Sequence, residues 1–513
     1  MTLRVRSSSL SLLRLSLPGL ALLGSLVAQA GDAEASGIAT ARFGGEHGHP
    51  TTENPTGIYY NPGAIALSKG TNIFVDGTIA FRGVSYTRPE SAVDPQPGGM
   101  NNVSLDFANG ANNGTNKLFN VVGAPFIGAT SDFGTDFFYG GLSLSVPFGG
   151  GSTWNKNSAF ANNAQFPGAV DGQQRWATID GSIRSLYITG AIAFKIKAAK
   201  MTLGVSGSAI RSSIDTIRAR NPDGTDNLVS GNTEDMFALK EGRSWLKADG
   251  WQGAFAVGVT FEPLDDRLWI GASYSSQPNV SGGMTLKGTL TNIFAVQEAS
   301  VTDIELTQTL PDIIRLGFRI RPIPKLEIRL FADYTRWSVF DKQCVLIASE
   351  PNRKCDFQNA DKAISDPANF GGLPPDPAPA DPDVNQTDVV GVTQHLPRYW
   401  KDAGGVRLGV GYFFLEELEA YVGLGYDSSS IPVQTVDPSL FDMNKISVSI
   451  GTLWQAHKHV AMGVTLTQII YMKLDTKGQN ALAKYQAPTR QPDANGIYKQ
   501  WLSVGNLYLQ FSF

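Results

Sequence analysis

The C-terminal half of the chain repeats a pattern in which apolar and polar side chains alternate. In "LEAYVGLGYD", residues 418–427, every second residue is apolar, while Glu419 and Asp427 lie on the other face. The pattern recurs in "LEIRLFADY" (326–334), "IIRLGFRI" (313–320) and "KISVSIGTLW" (445–454). A period of two is that of a β-strand with one apolar face. We therefore predict strands that present one apolar and one charged face.

The links between these strands alternate in length, which indicates how the strands are joined. Short links occur near residues 197, 263, 321, 415 and 456. Long links cover 90–118, 150–183, 220–247, 287–302, 341–400, 435–444 and 475–498. Short turns at one end and long loops at the other are typical of outer-membrane barrels, which have an even number of strands. We predict an all-β fold, a transmembrane antiparallel β-barrel of about 14 strands in the cell outer membrane.

A barrel of this size has a lumen that wall side chains alone do not fill. Before the first strand lies "IYYNPGAIALSKG", in which Asn61, Pro62 and Gly63 have the composition of a tight turn. We predict that residues 36–70 form an N-terminal hatch inside the lumen and that residues 71–513 form the barrel. The chain ends in "LYLQFSF" with a terminal aromatic residue, as outer-membrane barrels usually do.

The N-terminus is typical of a secretory signal peptide. Three arginines precede the apolar run 15–27, and small residues allow cleavage after Ala30 or Ala35. The apolar run is shorter than the roughly 20 residues that a spanning helix needs. We predict that residues 1–35 are a signal peptide.

Composition and charge exclude several function classes. The net charge of -4 over 513 residues argues against a nucleic-acid partner. Cys344 and Cys355 share one long loop outside the cytoplasm, so a disulfide is predicted rather than a metal or redox site. His47 and His49 of "EHGHP" supply too few ligands for a metal. We predict no metal, no cofactor and, because no nucleophile–base arrangement emerges, no enzyme activity.

Several segments together carry a family resemblance. They are the Asn-Pro-small motif before the first strand, "GLSLSVPFG", "DGWQGAFAVGVTFEP", "LPDIIRLGFRIRPIPKLEIRLFADYTRWSVFD" and "WKDAGGVRLGVGYFFLEELEAYVGLGYDSSSIP". From about residue 36 onward the chain resembles the outer-membrane long-chain fatty-acid transporter (FadL-type) family, which also includes aromatic-hydrocarbon channels. The family's hatch motif is Asn-Pro-Ala. Gly63 stands in the third position here, and we expect it to allow a sharper turn.

The resemblance implies passive uptake with sideways release through the barrel wall beside a kinked third strand. In "FFYGGLSLSVPFGGGSTW" the candidate kink and lateral gate are Pro147, Phe148, Gly149 and Gly150. Proline removes a ladder donor and glycine permits a bulge. The alternative is a strand that simply ends at the loop 150–183.

The resemblance also implies a landing groove for the substrate among the long loops. The candidate groove residues, from the links 220–247 and 287–302, are Met236, Phe237, Leu239, Leu290, Ile293 and Phe294. Apolar clusters in segments meant for solvent often mark binding sites.

A fatty-acid carboxylate would need a cation in the pocket. The family places an arginine near the outer end of the fifth strand, and Arg211 occupies a similar position, although strict alternation turns it outward unless a bulge intervenes. Arg315, Arg319 and Arg329 face inward. We expect these three to pair with acids such as Glu327 or Asp333.

The function implied is a monomeric outer-membrane channel, surrounded by lipid, for hydrophobic small molecules, above all long-chain fatty acids. One alternative is an aromatic-hydrocarbon channel of the same fold. Another is a general diffusion porin or a structural adhesin that displays the loop 341–400.

Overall fold

The computed structural model describes residues 41–94, 110–230, 238–294, 298–355, 389–485 and 488–513. The signal peptide predicted for residues 1–35 lies outside these ranges. The strands are β1 Thr71–Arg88, β2 Gly114–Ser131, β3 Phe138–Gly151, β4 Asp180–Ile196, β5 Met201–Arg220, β6 Gly242–Leu264, β7 Leu268–Ser275, β8 Gly283–Ile293, β9 Ser300–Thr309, β10 Ile313–Ile323, β11 Leu326–Thr335, β12 Lys342–Ile347, β13 Lys354–Cys355, β14 Val389–Val390, β15 Val392–Pro397, β16 Ala403–Leu415, β17 Leu418–Asp427, β18 Lys445–His457, β19 Val460–Tyr471, β20 Leu474–Asp475 and β21 Ile497–Ser512.

The helical segments are short. They are the α-helix α1 Gly57–Tyr60 and the 3₁₀ helices Pro62–Leu67, Glu90–Ala92, Ser158–Phe160, Pro167–Asp171, Gln173–Trp176, Lys197–Ala199, Trp337–Val339 and Leu482–Lys484. Within the described ranges, no helix has the length and apolar character needed to cross a membrane.

Fourteen strands form a closed antiparallel barrel, as the sequence predicts. Their order is β1, β2, β3, β4, β5, β6, β7, β10, β11, β16, β17, β18, β19 and β21. The last strand, β21, pairs with β1 from Asn72–Ser512 to Thr87–Ile497 and closes the ring. Closure gives the edge N–H and C=O groups partners that lipid cannot offer.

The two faces of the wall follow the alternation in the sequence. In β17, Val422 and Leu424 are 54% and 58% exposed, whereas Glu419 and Tyr421 are each 2% exposed. The apolar residues therefore face the membrane side and the polar ones the lumen.

A sheet extends the wall beyond the barrel at the end that carries the long loops. Only 256–264 of β6 pairs with β7, while its first part, 243–249, pairs with β8. From β8 the sheet continues through β9, β12 and β15.

Two predicted loops, 287–302 and 341–400, therefore contain strands, and the sequence-based assignment is wrong there. The physical reason is an alternation as regular as that of the barrel. In β8, Met284, Leu286 and Leu290 all point into one buried apolar cluster.

Residues 41–70 form the described part of the hatch and lie inside the lumen, at the end of the short turns. Ile65 and Ala66 of the 3₁₀ helix Pro62–Leu67 are fully buried against Tyr139 and Ala191 of the wall. The barrel thus has the N-terminal plug that the fold prediction includes.

Candidate functional site

The Asn-Pro-Gly motif anchors the hatch to the barrel wall. The amide Nδ2 of Asn61 donates to the carbonyl oxygens of Pro50 at 2.7 Å and Val259 at 2.9 Å, and to Oγ1 of Thr260 at 3.2 Å. Its Oδ1 accepts from the backbone N–H of Gly63 at 2.9 Å. One buried side chain therefore ties two hatch segments to β6.

Glycines of the wall make room for this motif. A Cβ on Gly258 would lie 1.8 Å from Oδ1 of Asn61, and one on Gly204 would lie 2.4 Å from the backbone nitrogen of Gly63. A Cβ on Gly63 would itself lie 2.7 Å from the Gly258 carbonyl oxygen. The φ angle of Gly63 is not positive. Its role is close packing against the wall rather than the sharper turn expected from the sequence.

An ion pair joins the hatch to the wall near the short-turn end of the lumen, and further pairs lie within the wall itself. Arg319 of β10 binds Glu53 of the hatch at 3.0 Å. Arg329 of β11 binds Glu419 at 2.7 Å and Glu327 at 2.5 Å, as the sequence predicts for Glu327. These arginines already have carboxylate partners and are structural.

An apolar cavity, called here the inner cavity, lies above the hatch. Its floor includes Ile58 and Tyr59, and Trp337, Phe340 and Trp400 line it from the long-loop side. The ring centroid of Trp400 lies 4.7 Å from that of Trp337 and 4.8 Å from that of Phe340. The cavity thus offers aromatic faces and a largely apolar floor.

Arg315 is the arginine that faces the inner cavity. Its Nη1 donates to Oγ of Ser275 at 2.8 Å, and its guanidinium lies 4.7 Å from the ring centroid of Tyr59. Among the described residues no carboxylate lies within ion-pair distance, unlike the expected pairing with Asp333. A buried guanidinium with only neutral partners can bind an anion.

The third strand, β3, is paired with β2 over only part of its length. β3 pairs with β2 only from Ser131–Gly140 to Phe126–Ser145, whereas β2 pairs with β1 along its full length. Beyond that point 121–125 of β2 and 146–150 of β3 share no ladder, and this unpaired stretch of the wall is called here the window. Its far edge is closed by the Asn120 amide, which donates to the Gly151 carbonyl oxygen at 3.0 Å.

A one-residue bulge accompanies the window. In the pairing of β3 with β4, Ser145 faces Tyr187 and Phe148 faces Ser185, so two residues oppose one. The intervening Val146 and Pro147 are both buried, which breaks the alternation. The candidate kink at Pro147–Gly150 therefore coincides with an irregular strand rather than with a strand end.

The candidate landing groove is only partly assembled. Leu290 is fully buried in the sheet extension with Leu286 and Leu306, so it cannot contribute to a surface groove. Ile293 is 54% exposed, and Phe294 and Leu239 are half-buried. The candidates Met236 and Phe237 lie outside the described residues.

Arg211 does not face the pocket. The ladders of β5 with β4 and β6 run through this position without a register shift, so the side chain points outward, as alternation predicts. It binds Asp249 at 3.1 Å on the exposed surface. Its assignment as the carboxylate partner is therefore wrong.

Cys344 and Cys355 are joined by a disulfide. His49 accepts at Nδ1 from the backbone N–H of Thr51 at 3.1 Å, and His47 contacts Nη1 of Arg329 at 3.1 Å. Both histidines take part in the packing of the hatch.

Ion pairs also join the long loops above the barrel mouth. Arg88 binds Asp226 at 2.7 Å, and Arg490 binds Asp94 at 2.9 Å. Burial raises the pKa of the Asp226 carboxyl to about 6, a shift that Arg88 opposes and Asp94 reinforces. The loop contacts therefore contain a group that titrates between pH 5 and 7.

Known proteins of one family share this fold. The family model described as "Outer membrane protein transport protein (OMPP1/FadL/TodX)" matches residues 25–498. A comparison of the sequence with curated proteins finds no match.

Solved structures with this fold include a Pseudomonas aeruginosa FadL homologue, with 14% identity, a TM-score of 0.65 and coverage of 94% of this chain and 98% of that one. The Ralstonia pickettii toluene transporter TbuX has 14% identity, a TM-score of 0.54 and coverage of 94% and 99%. The Pseudomonas putida toluene transporter TodX has the same four values. The family match covers most of the chain, and this outer-membrane barrel therefore belongs to the OMPP1/FadL/TodX family of outer membrane transport proteins.

Proposed function

We propose that this protein is a passive channel that takes up hydrophobic compounds, most notably long-chain fatty acids, and releases them sideways through the window beside β3. It acts as a monomer surrounded by outer-membrane lipid. One observation carries the proposal: Phe148 and Gly149, which line the inner cavity, belong to the segment of β3 that has lost its β2 partner. The cavity and the window therefore adjoin.

The energetics of an acyl chain favour this route. Each CH₂ group kept from water contributes about 0.8 kcal/mol. A chain that leaves the inner cavity for the neighbouring lipid keeps that contribution, whereas release through the lumen into water loses it. For lateral release, the unpaired backbone N–H and C=O groups beside the window must form their hydrogen bonds within the protein, because lipid offers no partners.

Arg315 supports an acid as the substrate. A carboxylate at its guanidinium would form charge-assisted hydrogen bonds in an apolar cavity, where they are stronger than in water. Tyr59 already covers this guanidinium with its ring face, a cation–π contact that an arriving carboxylate would share or replace.

An aromatic hydrocarbon is the second candidate substrate. The aromatic group Trp337, Phe340 and Trp400 favours it, because ring pairs are attracted in tilted and edge-to-face arrangements. Two of the structural relatives are named as toluene transporters. A neutral hydrocarbon, however, gives Arg315 no partner.

The route is tested by removing the bulge. Deletion of Pro147 leaves one residue of β3 opposite one residue of β4, so alternation is restored and the ladder with β2 can continue through the window. Pro147→Ala keeps the residue count, hence the bulge, and serves as the control. The two variants are compared at equal surface levels, and heat-modifiable mobility shows that both barrels are folded. We expect the deletion to abolish most uptake of hexadecanoic acid and the alanine variant to retain most of it. Parent-like uptake by the folded deletion variant would refute lateral release.

The substrate class is tested at Arg315. Arg315→Gln should weaken uptake of hexadecanoic acid about tenfold or more, because a charge-assisted hydrogen bond is lost. Uptake of toluene should stay near the parent level, and Arg315→Lys should restore part of the acid uptake. Equal losses for the acid and the hydrocarbon would favour a structural role of Arg315 and the hydrocarbon channel.

A further inference from the structure

A second cavity, the outer chamber, lies on the long-loop side of the inner cavity. Arg82, Arg218 and Gln394 are among the residues that line it. The two cavities share one set of lining residues, namely Ile183, Ile214, Leu306, Gln343 and Leu440. The cavities are therefore contiguous, and the surface that joins them is mainly aliphatic.

Two arginines of the outer chamber have only neutral partners. Arg218 donates from Nη2 to Oε1 of Gln394 at 2.8 Å and from Nη1 to Oε1 of Gln491. Arg82 donates from Nε and Nη2 to Oε1 of Gln500 at 3.2 and 3.1 Å. Within the described part of the chain, no carboxylate lies within 4.0 Å of either guanidinium.

The other arginines of the chamber, Arg88 and Arg398, have carboxylate partners, whereas the Asp493 carboxylate is bound by neutral donors. Arg398 binds Asp437 at 2.8 Å, and Arg88 binds Asp226. Asp493 accepts from the backbone N–H of Asn495 at 2.6 Å. Arg82 and Arg218 therefore carry two positive charges against the one carboxylate of Asp493, and the chamber keeps an excess of positive charge.

We propose that the outer chamber binds a second acidic group, so that the substrates include long-chain α,ω-dicarboxylic acids. One carboxylate enters the outer chamber, where Arg82 and Arg218 attract it, and the other binds Arg315, as in the proposed function on which this inference rests. The hydrocarbon middle crosses the shared aliphatic lining. A guanidinium presents a planar fork that matches a carboxylate, which makes arginine well suited to each end.

A purely structural role for Arg218 predicts a different pattern of binding losses. Its bond to Gln394, together with the bond from Arg220 to the Thr393 carbonyl oxygen at 2.9 Å, fastens β15 to β5. If that were its whole role, its loss would loosen the sheet extension and weaken every ligand alike. If Arg218 binds a second acidic group, its substitution should instead weaken the binding of diacids alone.

The test compares two ligands of equal chain length, hexadecanedioic acid and hexadecanoic acid, by quenching of the tryptophan fluorescence of the purified full-length protein. Arg218→Gln and Arg82→Gln should each weaken diacid binding about tenfold or more, because each removes a charged donor. Binding of the monoacid should stay within about twofold, since its single carboxylate is held at Arg315. Arg218→Lys should recover part of the diacid affinity.

Arg211→Gln is the matched control, because it removes an arginine from the outward face of the same strand. Its affinities for both ligands should equal those of the parent. Equal losses for diacid and monoacid at Arg218, or parent-like diacid affinity in both variants, would overturn the proposal. The assay measures binding to the purified protein and not uptake. The comparison of diacid and monoacid affinities can therefore be interpreted even if the lateral uptake route proves wrong.

Discussion

Replacing Gly258 by alanine is the most direct way to disturb the docking of the hatch without touching the hatch itself. The added Cβ would lie 1.8 Å from Oδ1 of Asn61 and 3.1 Å from Cδ of Pro62. Backbone pairing holds Gly258 opposite Ser273, so the strand backbone cannot shift away from Asn61. The Asn61 side chain must therefore leave its site.

The cost of that displacement follows from the contacts of Asn61. The amide has two N–H hydrogens, so two donated bonds and one accepted bond are lost, which at about 0.5–1.5 kcal/mol each amounts to roughly 1.5–4.5 kcal/mol. Overpacking adds about 1–3 kcal/mol where the neighbours yield only in part. Other anchors persist, including Arg319–Glu53 and the Ser273 hydroxyl, which donates to the Tyr60 carbonyl oxygen at 2.6 Å. We expect local displacement of the segment 61–67 rather than release of the whole hatch.

Single-channel conductance in planar bilayers measures the result. Gly258→Ala should open an ion-conducting path through the lumen, while heat-modifiable mobility shows that the barrel remains folded. Gly253→Ala in the same strand is the control, because a Cβ there meets nothing within 4 Å. If a folded Gly258→Ala barrel conducts no more than the Gly253→Ala barrel, the hatch is not held by this contact and the reasoning fails.

Three further predictions concern the hatch, the disulfide and the loops. Deletion of residues 36–66 should convert the barrel into an ion-conducting pore, and unchanged conductance would show that other segments block the lumen. Replacing Cys344 and Cys355 with serine should leave uptake near normal, and a large loss would place their loop in the substrate entrance. The Asp226 carboxyl, whose pKa is raised to about 6, favours the loop contacts below about pH 4 and loses that contribution as the pH rises through 6, by about 3 kcal/mol in all. The protection factors of the amides in the loop 221–230, which correct the exchange rates for their intrinsic pH dependence, should therefore fall between pH 4 and 7, and an equally steep fall in Asp226→Asn would assign it to another group.

The sequence predicts the barrel well because lipid and lumen impose opposite demands on neighbouring residues. Val422 and Glu419 could be assigned to their faces from the pattern alone. The same logic applies to β8, whose alternation is equally clear, but counting strands from loop lengths assigned it to a loop. Period two identifies a strand, but it does not tell whether that strand crosses the membrane or extends the sheet beyond it.

The site was less predictable because its chemistry depends on which distant segments meet. Gly253 and Gly258 look alike in the sequence, yet only Gly258 receives the hatch motif. Arg315 and Arg319 both face inward by alternation, and only the position of Glu53 decides that Arg319 is paired and Arg315 is not. No local pattern contains that information.

The window beside β3 is bounded at both ends, and this has a mechanical consequence. Pairing of Phe126 with Ser145 closes one end, and the backbone N–H of Asn155 donates to the Lys117 carbonyl oxygen at 3.0 Å beyond the other. The six residue steps from Asn120 to Phe126 make it a slot roughly 20 Å long. Hydrogen bonds therefore join the two strands at both ends of the slot, so the proposed lateral route does not require any strand pairing to open. On that route a slender chain would pass along the slot lengthwise, whereas a broad fused-ring skeleton would have to widen it, so the proposal predicts that molecular width limits passage.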